Sequence, residues 1–522
     1  MIGYRPGTAA RRPWAPGDEI GPARRATFPA PRVLLLGSIS IASLAALIRP
    51  EVDPDFWWHV RVGRWMVEHR RLPGHDLFTY TVAGHRWVDH EYATEVLMWL
   101  TYHRFGLTGV SLAFGFLTWT GLMLLLLACR PGRHPYPIVG LVLALIVVAG
   151  EPVWGPRPQV LTFTLCCLVL LCLRRYREGR ERGVAWLPAV LWAWSNLHGS
   201  WPIGLLLIGL ASLAEGARRL TQPSRPGGLR RAGVLAGVGA ISALAVGINP
   251  NGPAIYAYPF QTVTSAVQRS LIQEWQSPDF HLAALRAFEI VILLVLAGLA
   301  LGRPDGFEVL TVLAGLALAL ESVRNLPLFL ALAAPVLTTT WGEAWRRLAR
   351  FRSRPQGAAL GSGVAAGVTA VALAVTTVAT ALAVQRALAA QPALIEQRFP
   401  VGAATWLVAH PGVGTRMFNE YAWGGYLVDR FYPDPRRQVF VFGEASLMGD
   451  RQLRRYADVV ELKPGWQQVL KRSGVDYVVY ESNSALAAAL AADPTWRAVY
   501  RDRVAVIYVR SGQEGEGGER TR

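Results

Sequence analysis

The sequence predicts an all-α polytopic membrane protein, with about eleven transmembrane helices and a small C-terminal α/β extracytoplasmic domain. Three observations predict it. Hydrophobic residues fill 52% of the 522 positions and charged residues only 17%, where a soluble domain carries about a quarter charged. The apolar residues gather in long uncharged blocks, such as 107–127 and 358–384, long enough to cross a hydrocarbon core. Basic runs fall between those blocks: Arg174, Arg175, Arg177, Arg180 and Arg182; Arg218, Arg219, Arg225, Arg230 and Arg231; Arg346, Arg347, Arg350, Arg352 and Arg354.

Lys and Arg near span ends are retained on the cytoplasmic side, so these runs mark inner loops. The net charge of +17 therefore reads as an orientation signal, and no nucleic-acid partner is expected. The cysteines Cys129, Cys166, Cys167 and Cys172 all lie in or beside apolar blocks, so neither a disulfide framework nor a metal-binding pair is implied. A basic cytoplasmic segment, 1–32, precedes the first block. No small-residue cleavage site follows that block, so it reads as a retained span.

The expected spans are 33–49, 108–129, 136–150, 157–173, 184–196, 202–217, 232–248, 288–301, 305–321, 326–342 and 358–386. Together they form a transmembrane domain over 33–386. Alternation from a cytoplasmic N-terminus puts every Arg-rich run inside. Outside it puts a large loop, 50–107, short turns near 151–156, 197–201 and 322–325, the stretch 249–287, and the C-terminal domain. Of ten histidines, only His134 falls inside. The outer face is where chemistry is expected.

In loop 50–107, Phe56 to His69 suits a helix lying on the membrane interface, with Trp57, Trp58 and Trp65 at headgroup depth. A turn at Pro73-Gly74 and a β-like stretch from Leu77 to Val82 follow. Glu91 to Phe105 reads as a second interfacial helix leading into the next span. Residues 387–510 read as an α/β domain, with strands at Gln438 to Phe442, Asp476 to Tyr480 and Val504 to Val509 and helices at Val401 to Ala409 and Gly465 to Lys471. The tail 511–522 is Gly- and charge-rich and expected to be disordered.

The strongest chemical signal is Glu51-Val52-Asp53-Pro54-Asp55-Phe56-Trp57-Trp58-His59-Val60-Arg61, directly after the first span. Two carboxylates two residues apart can hold a divalent cation such as Mg or Mn, or one can act as a general base. An aromatic belt explains the tryptophans but not Asp53, Asp55, Asp89 and Glu91. The second acidic cluster, Asp89-His90-Glu91, suits a helix N-terminus and equally a further metal or base contribution. Arg157 and Arg324 sit on the outer side against the inside bias. Each either snorkels to ordinary lipid phosphate or binds a specific lipid phosphate through its planar fork. Asn196, His198 and Asn249 end spans on the outer side, where His198 is a structural histidine or a contact to sugar.

This loop resembles that of the GT-C superfamily of membrane glycosyltransferases, multi-span enzymes that take sugars from polyprenyl-phosphate carriers. The nearest local match is the oligosaccharyltransferase catalytic subunit, whose first loop reads Glu-Phe-Asp-Pro-Trp-Phe-Asn-Tyr-Arg. The chain also resembles an uncharacterised bacterial subgroup, which shares the Asp-Pro-Asp…Trp-Trp-His opening at 53–59, the Asp-His-Glu triplet at 89–91, the Asn-Leu-His-Gly turn at 196–199 and the Asn-Pro-Asn-Gly turn at 249–252. The resemblance implies a catalytic, metal-binding role for Asp53, with Arg61 matching the family's arginine. Asp55, Asp89 and Glu91 are expected to assist in catalysis, Asp55 to share the metal, and His59, Arg61, Arg157, His198 and Arg324 to contact substrate. It implies membrane lipid, a polyprenyl-phosphate-linked sugar and a glycan or lipid acceptor as partners, at the outer face of a bacterial cytoplasmic membrane. One departure matters. The peptide-gripping Trp-Trp-Asp-Tyr-Gly motif is met here only by Tyr421-Ala422-Trp423-Gly424-Gly425-Tyr426, which lacks the acidic residue. A glycan or lipid acceptor is expected instead of a peptide.

Two other classes stay open. A lipid or polysaccharide transporter or flippase wants ionisable groups at mid-membrane depth, whereas Glu151, Glu289 and Glu321 fall near span ends. A catalytically silent assembly scaffold needs no clustered carboxylates.

Overall fold

The computed structural model describes residues 30–51, 53–221, 228–350 and 362–511. The basic leader before residue 30, the tail after 511 and parts of two Arg-rich loops lie outside the described residues. Every one of the eleven expected blocks falls on a helix. These helices are α1 (Ala30–Leu47), α3 (Tyr92–Ala128), α4 (Tyr136–Ala149), α5 (Gln159–Arg177), α6 (Leu187–Leu197), α7 (Pro202–Thr221), α8 (Gly228–Val246), α11 (Arg286–Leu301), α12 (Gly306–Glu321), α13 (Leu326–Ala349) and α14 (Ser362–Ala389). Among the described residues, seven helical stretches are long and apolar enough to cross a membrane. This is the build of a multi-pass membrane protein.

Local sequence sets the helix ends. Proline stands in the first turn of α4, α6 and α13, where its missing N–H leaves no intrahelical bond unmade. Asp305 caps α12, accepting the Phe307 and Glu308 N–H groups at 3.0 and 3.1 Å, and Glu308 accepts the Asp305 N–H at 3.1 Å in return. The expected interfacial helix runs into the following span as one element, α3, broken at Gly106 with φ 63°. Only a residue without a Cβ takes that conformation cheaply.

The loop and the tail form one body, which the sequence did not disclose. Helix α2 (Phe56–His69) forms as expected. Its tryptophans face a protein core, however, and not lipid headgroups. Trp57, Trp58 and Trp65 are each at most 5% exposed, in a core shared with Phe399, Phe418, Phe440, Phe442 and Tyr477 of the C-terminal domain. Burying several aromatic side chains at about 25 cal/mol per Å² outweighs a headgroup contact.

That domain carries a four-stranded sheet in the order β1-β2-β4-β3. Its strands are β1 (Met417–Asn419), β2 (Tyr477–Glu481), β3 (Trp496–Arg501) and β4 (Ala505–Arg510). β1 and β2 are parallel, and the other two pairings are antiparallel. The expected strands at 476–480 and 504–509 and the expected helices match α16 (Val401–Ala409), α19 (Trp466–Arg472), β2 and β4. The stretch from Gln438 to Phe442 is not a strand. Val439 makes one bridge to Thr79, and 439–442 are buried as apolar filling. Strands β1 and β3 were not legible, because three residues and a half-exposed edge leave no period.

Candidate active site

Four short motifs, far apart in sequence, meet where the helical bundle faces the C-terminal domain. Three of them border a cavity of about 470 Å³ lined by Asp53, Asp55, Trp58, His59, His90, Glu91, Arg157, His198 and Arg324, among others, and the Asn-Pro-Asn-Gly turn stands outside its lining. Asparagines hold the frame beneath it. Asn249 donates to the Asn196 side-chain oxygen at 3.2 Å and to the Ser195 carbonyl at 3.0 Å. Asn251 donates to the Asp89 carbonyl at 2.6 Å, and Tyr92 donates to Asn196. The two asparagine turns therefore tie the Asp-His-Glu triplet in place and need not touch a ligand.

On one wall, Asp53 accepts the Asp55 N–H at 2.9 Å and faces Arg157 at 2.8 Å, and Arg157 also grips Glu274. Asp55 has no cation of its own within ion-pair distance among the described residues. Its desolvated position, with the charges of Asp53 and Glu274 nearby, pushes its carboxyl up to about 8. Burial raises the Glu274 carboxyl, but Arg157 and Arg324 more than offset that and hold it below its ordinary value. Arg324 lies over the Trp275 ring at 5.1 Å and makes no ion pair among the described residues.

The C-terminal domain closes this wall with backbone. A Cβ built on Gly443 would stand 1.6 Å from Asp55 Oδ1 and 3.0 Å from Trp58 Nε1. Only glycine allows that approach.

On the other wall, three histidines surround Glu91. His90 and His198 place Nε2 at 3.0 and 3.1 Å from Glu91 Oε1, and His59 Nε2 lies 3.6 Å from Oε2. Burial alone would raise the Glu91 carboxyl, but His90 and His198 hold it well below the usual range. Burial pushes the His59 imidazole down to about 3, so it is neutral at pH 7, with Nδ1 at 2.9 Å from Glu95. His198 is also lowered by burial and lies 2.9 Å from the Thr162 hydroxyl. His90 stacks on Tyr258 with centroids 3.8 Å apart.

Two expected site residues stand elsewhere. Arg61 does not line the cavity. It pairs with Asp429 at 3.0 Å and fastens α2 to α17 (Gly424–Phe431). Asp89 is buried behind the wall, accepts the Glu91 N–H at 3.1 Å, and is pushed by burial to about 6. Sequence reasoning missed Glu274, Trp275, Tyr258, Gln268 and Glu444, which all line the cavity. The Gln273-Glu274-Trp275 triplet, a carboxylate beside tryptophan in an outer stretch, was a usable signal. Glu444 offered none, since only the fold-back of the tail brings it here.

For the expected cation, no group of three or more His, Cys, Asp or Glu is set to hold a metal among the described residues. Between Asp53 and Glu274 the counter-charge is the Arg157 guanidinium. A cation bound by Asp53 and Asp55 would have to share or displace it.

Similarity to known proteins lies in three dimensions. The archaeal oligosaccharyltransferase AglB from Archaeoglobus fulgidus superposes with a TM-score of 0.52 at 11% identity, over 86% of this chain and 69% of that one. The fold is like that of this archaeal oligosaccharyltransferase. ArnT from Cupriavidus metallidurans aligns less closely, with a TM-score of 0.49 at 13% identity, over 91% of this chain and 97% of that one. The arabinofuranosyltransferase AftD from Mycobacteria gives a TM-score of 0.47 at 16% identity, over 93% of this chain and 40% of that one. No protein-family model and no curated protein matches the chain. The likeness therefore rests on backbone arrangement, with residue roles to be argued from the site itself.

Proposed function

We propose that this chain is a membrane glycosyltransferase that moves a sugar from a polyprenyl-phosphate carrier to a glycan or lipid acceptor. The observation that carries the reading is one cavity holding a carboxyl poised near neutrality, Asp55, and a guanidinium without a carboxylate partner among the described residues, Arg324. A base works best with a pKa near the working pH, and a phosphate leaving group needs fixed positive charge. AglB, of like fold, is bound to a dolichol-phosphate.

In this reading the acceptor hydroxyl oxygen bonds to the anomeric carbon while its proton passes to Asp55. The bond from that carbon to the carrier phosphate breaks, and the phosphate keeps the electron pair. Arg324 receives that charge, with Arg157 beside it. Asp53 orients Arg157 and, through the Asp55 N–H, the base itself. Glu91 and its histidines line the remaining wall for sugar hydroxyls, with Asp89 supporting them from behind. A divalent cation at Asp53 and Asp55 would supply the same counter-charge as Arg157. A chelator that stops transfer favours that cation, and unchanged transfer favours Arg157.

The proposed setting is the bacterial cytoplasmic membrane, with the N-terminus inside and domain 387–510 outside. Reporter fusions after residue 390 test the orientation, and activity of a cytoplasm-only reporter there would reverse it. The function is tested with purified protein in lipid, a labelled polyprenyl-phosphate sugar and a mixed glycan and lipid acceptor pool. Label should move to an acceptor with wild type and not with Asp53→Asn. Label that only crosses the bilayer would establish a flippase instead, and a bound but unaltered donor would establish a silent scaffold.

A further inference from the structure

Five carboxylates line the cavity: Asp53, Asp55, Glu91, Glu274 and Glu444. Asp53 and Glu274 share Arg157, and Glu91 sits among histidines. Asp55 is the proposed base. Glu444 is left over. It is 5% exposed, its side chain is bonded by the Ser446 hydroxyl, and it has no salt-bridge partner among the described residues. Its neighbour Gly443 abuts Asp55, so Glu444 opens beside the place where bonds would change. A second group lining the cavity also lacks a partner: the Gln268 side-chain oxygen, on a residue 4% exposed, accepts no hydrogen bond among the described residues.

A buried carboxylate without a countercharge and a buried amide oxygen without a donor are costly unless a ligand supplies them. A hydroxyl offers one donor and no charge. An ammonium offers three donors and neutralises the carboxylate. Arg324 has the opposite need and asks for an anion. A ligand meeting both is negative at one end and positive at the other.

Resting on the transferase reading, we propose that Glu444, helped by Gln268, forms a subsite for a free amino group on the donor sugar. The preferred donor is then a phosphate-linked amino sugar, its phosphate at Arg324 and its ammonium at Glu444.

The test titrates three soluble probes, a hexosamine 1-phosphate, its N-acetyl derivative and the plain hexose 1-phosphate, into the full chain in nanodiscs at pH 7. The free amine should bind about ten- to a hundredfold more tightly than the other two, as a charge-assisted contact does. Glu444→Gln should bring the three to similar affinities, with a melting scan reporting that the variant is folded. Equal affinities in the wild type, or a preference that survives Glu444→Gln, would overturn the subsite. A preference for the amine together with no sugar transfer from any lipid-linked donor would keep the subsite and sink the transferase reading.

Discussion

Charged residues stand in the last turns of helix α5 and just before its first, and the two ends are built on different rules. At its C-terminal end Arg174 meets Glu308 at 2.9 Å, and Arg177 meets Glu215 at 2.7 Å and Asp305 at 3.0 Å. Just before the other end, Arg157 joins a wall where Asp55, Glu444 and Arg324 have no opposite charge in contact among the described residues. Arg174, Arg177, Glu215 and Glu308 are all buried. Charge that is fully paired inside a protein holds helices in register. Charge left unpaired around a cavity is matched by something that binds there.

The largest effect should come from Asp55→Asn. Removing a general base costs about 10²–10⁴-fold in rate, and the dependence on pH changes with it. Because the Asp55 carboxyl is raised to about 8, the wild-type rate should climb as pH rises toward 8, and that limb should vanish in the variant. The sign for stability is opposite. A carboxyl raised in the folded state favours folding least above that pKa, so Asp55→Asn should melt no lower than wild type at pH 8. A variant that keeps the limb would move the base to another carboxylate.

At the other end of α5, Glu308→Ala leaves Arg174 buried and alone. Breaking such a pair costs about 3–5 kcal/mol, read as a lower melting temperature. Transfer per folded molecule should hold. If rate fell while the melting temperature stayed put, the two ends would be less distinct than the geometry says.

Arg324→Ala should weaken donor binding by about ten- to a hundredfold, and Arg324→Lys should recover only part, since an ammonium lacks the planar fork. Equal affinities in wild type, Ala and Lys would return Arg324 to ordinary snorkelling.

The smallest effect belongs to Arg61→Ala. Its pair with Asp429 is partly exposed, so the expected cost is about 1 kcal/mol of stability, with donor affinity unmoved. A selective loss of affinity would restore Arg61 to the binding set.

The sequence by itself determined the helical architecture, because a bilayer core demands apolar blocks of fixed length, and all eleven blocks became helices. It also exposed Asp53, Asp55, His59, Glu91, Arg157, His198 and Arg324, which are chemically out of place in outer segments and which all line one cavity. Only the tertiary structure decided who partners whom. Arg61 and Arg157 look alike in sequence, yet one faces Asp429 and the other Asp53. The tryptophans of 57–65 fit a membrane belt by composition and are buried by the tail instead. Glu444 becomes part of the site because the C-terminal domain folds back onto α2, with Gly443 letting its backbone reach the Asp55 and Trp58 side chains. Hydropathy and charge are properties of a segment, so the chain carries them openly. Partnership depends on contacts across hundreds of residues, and only packing creates those.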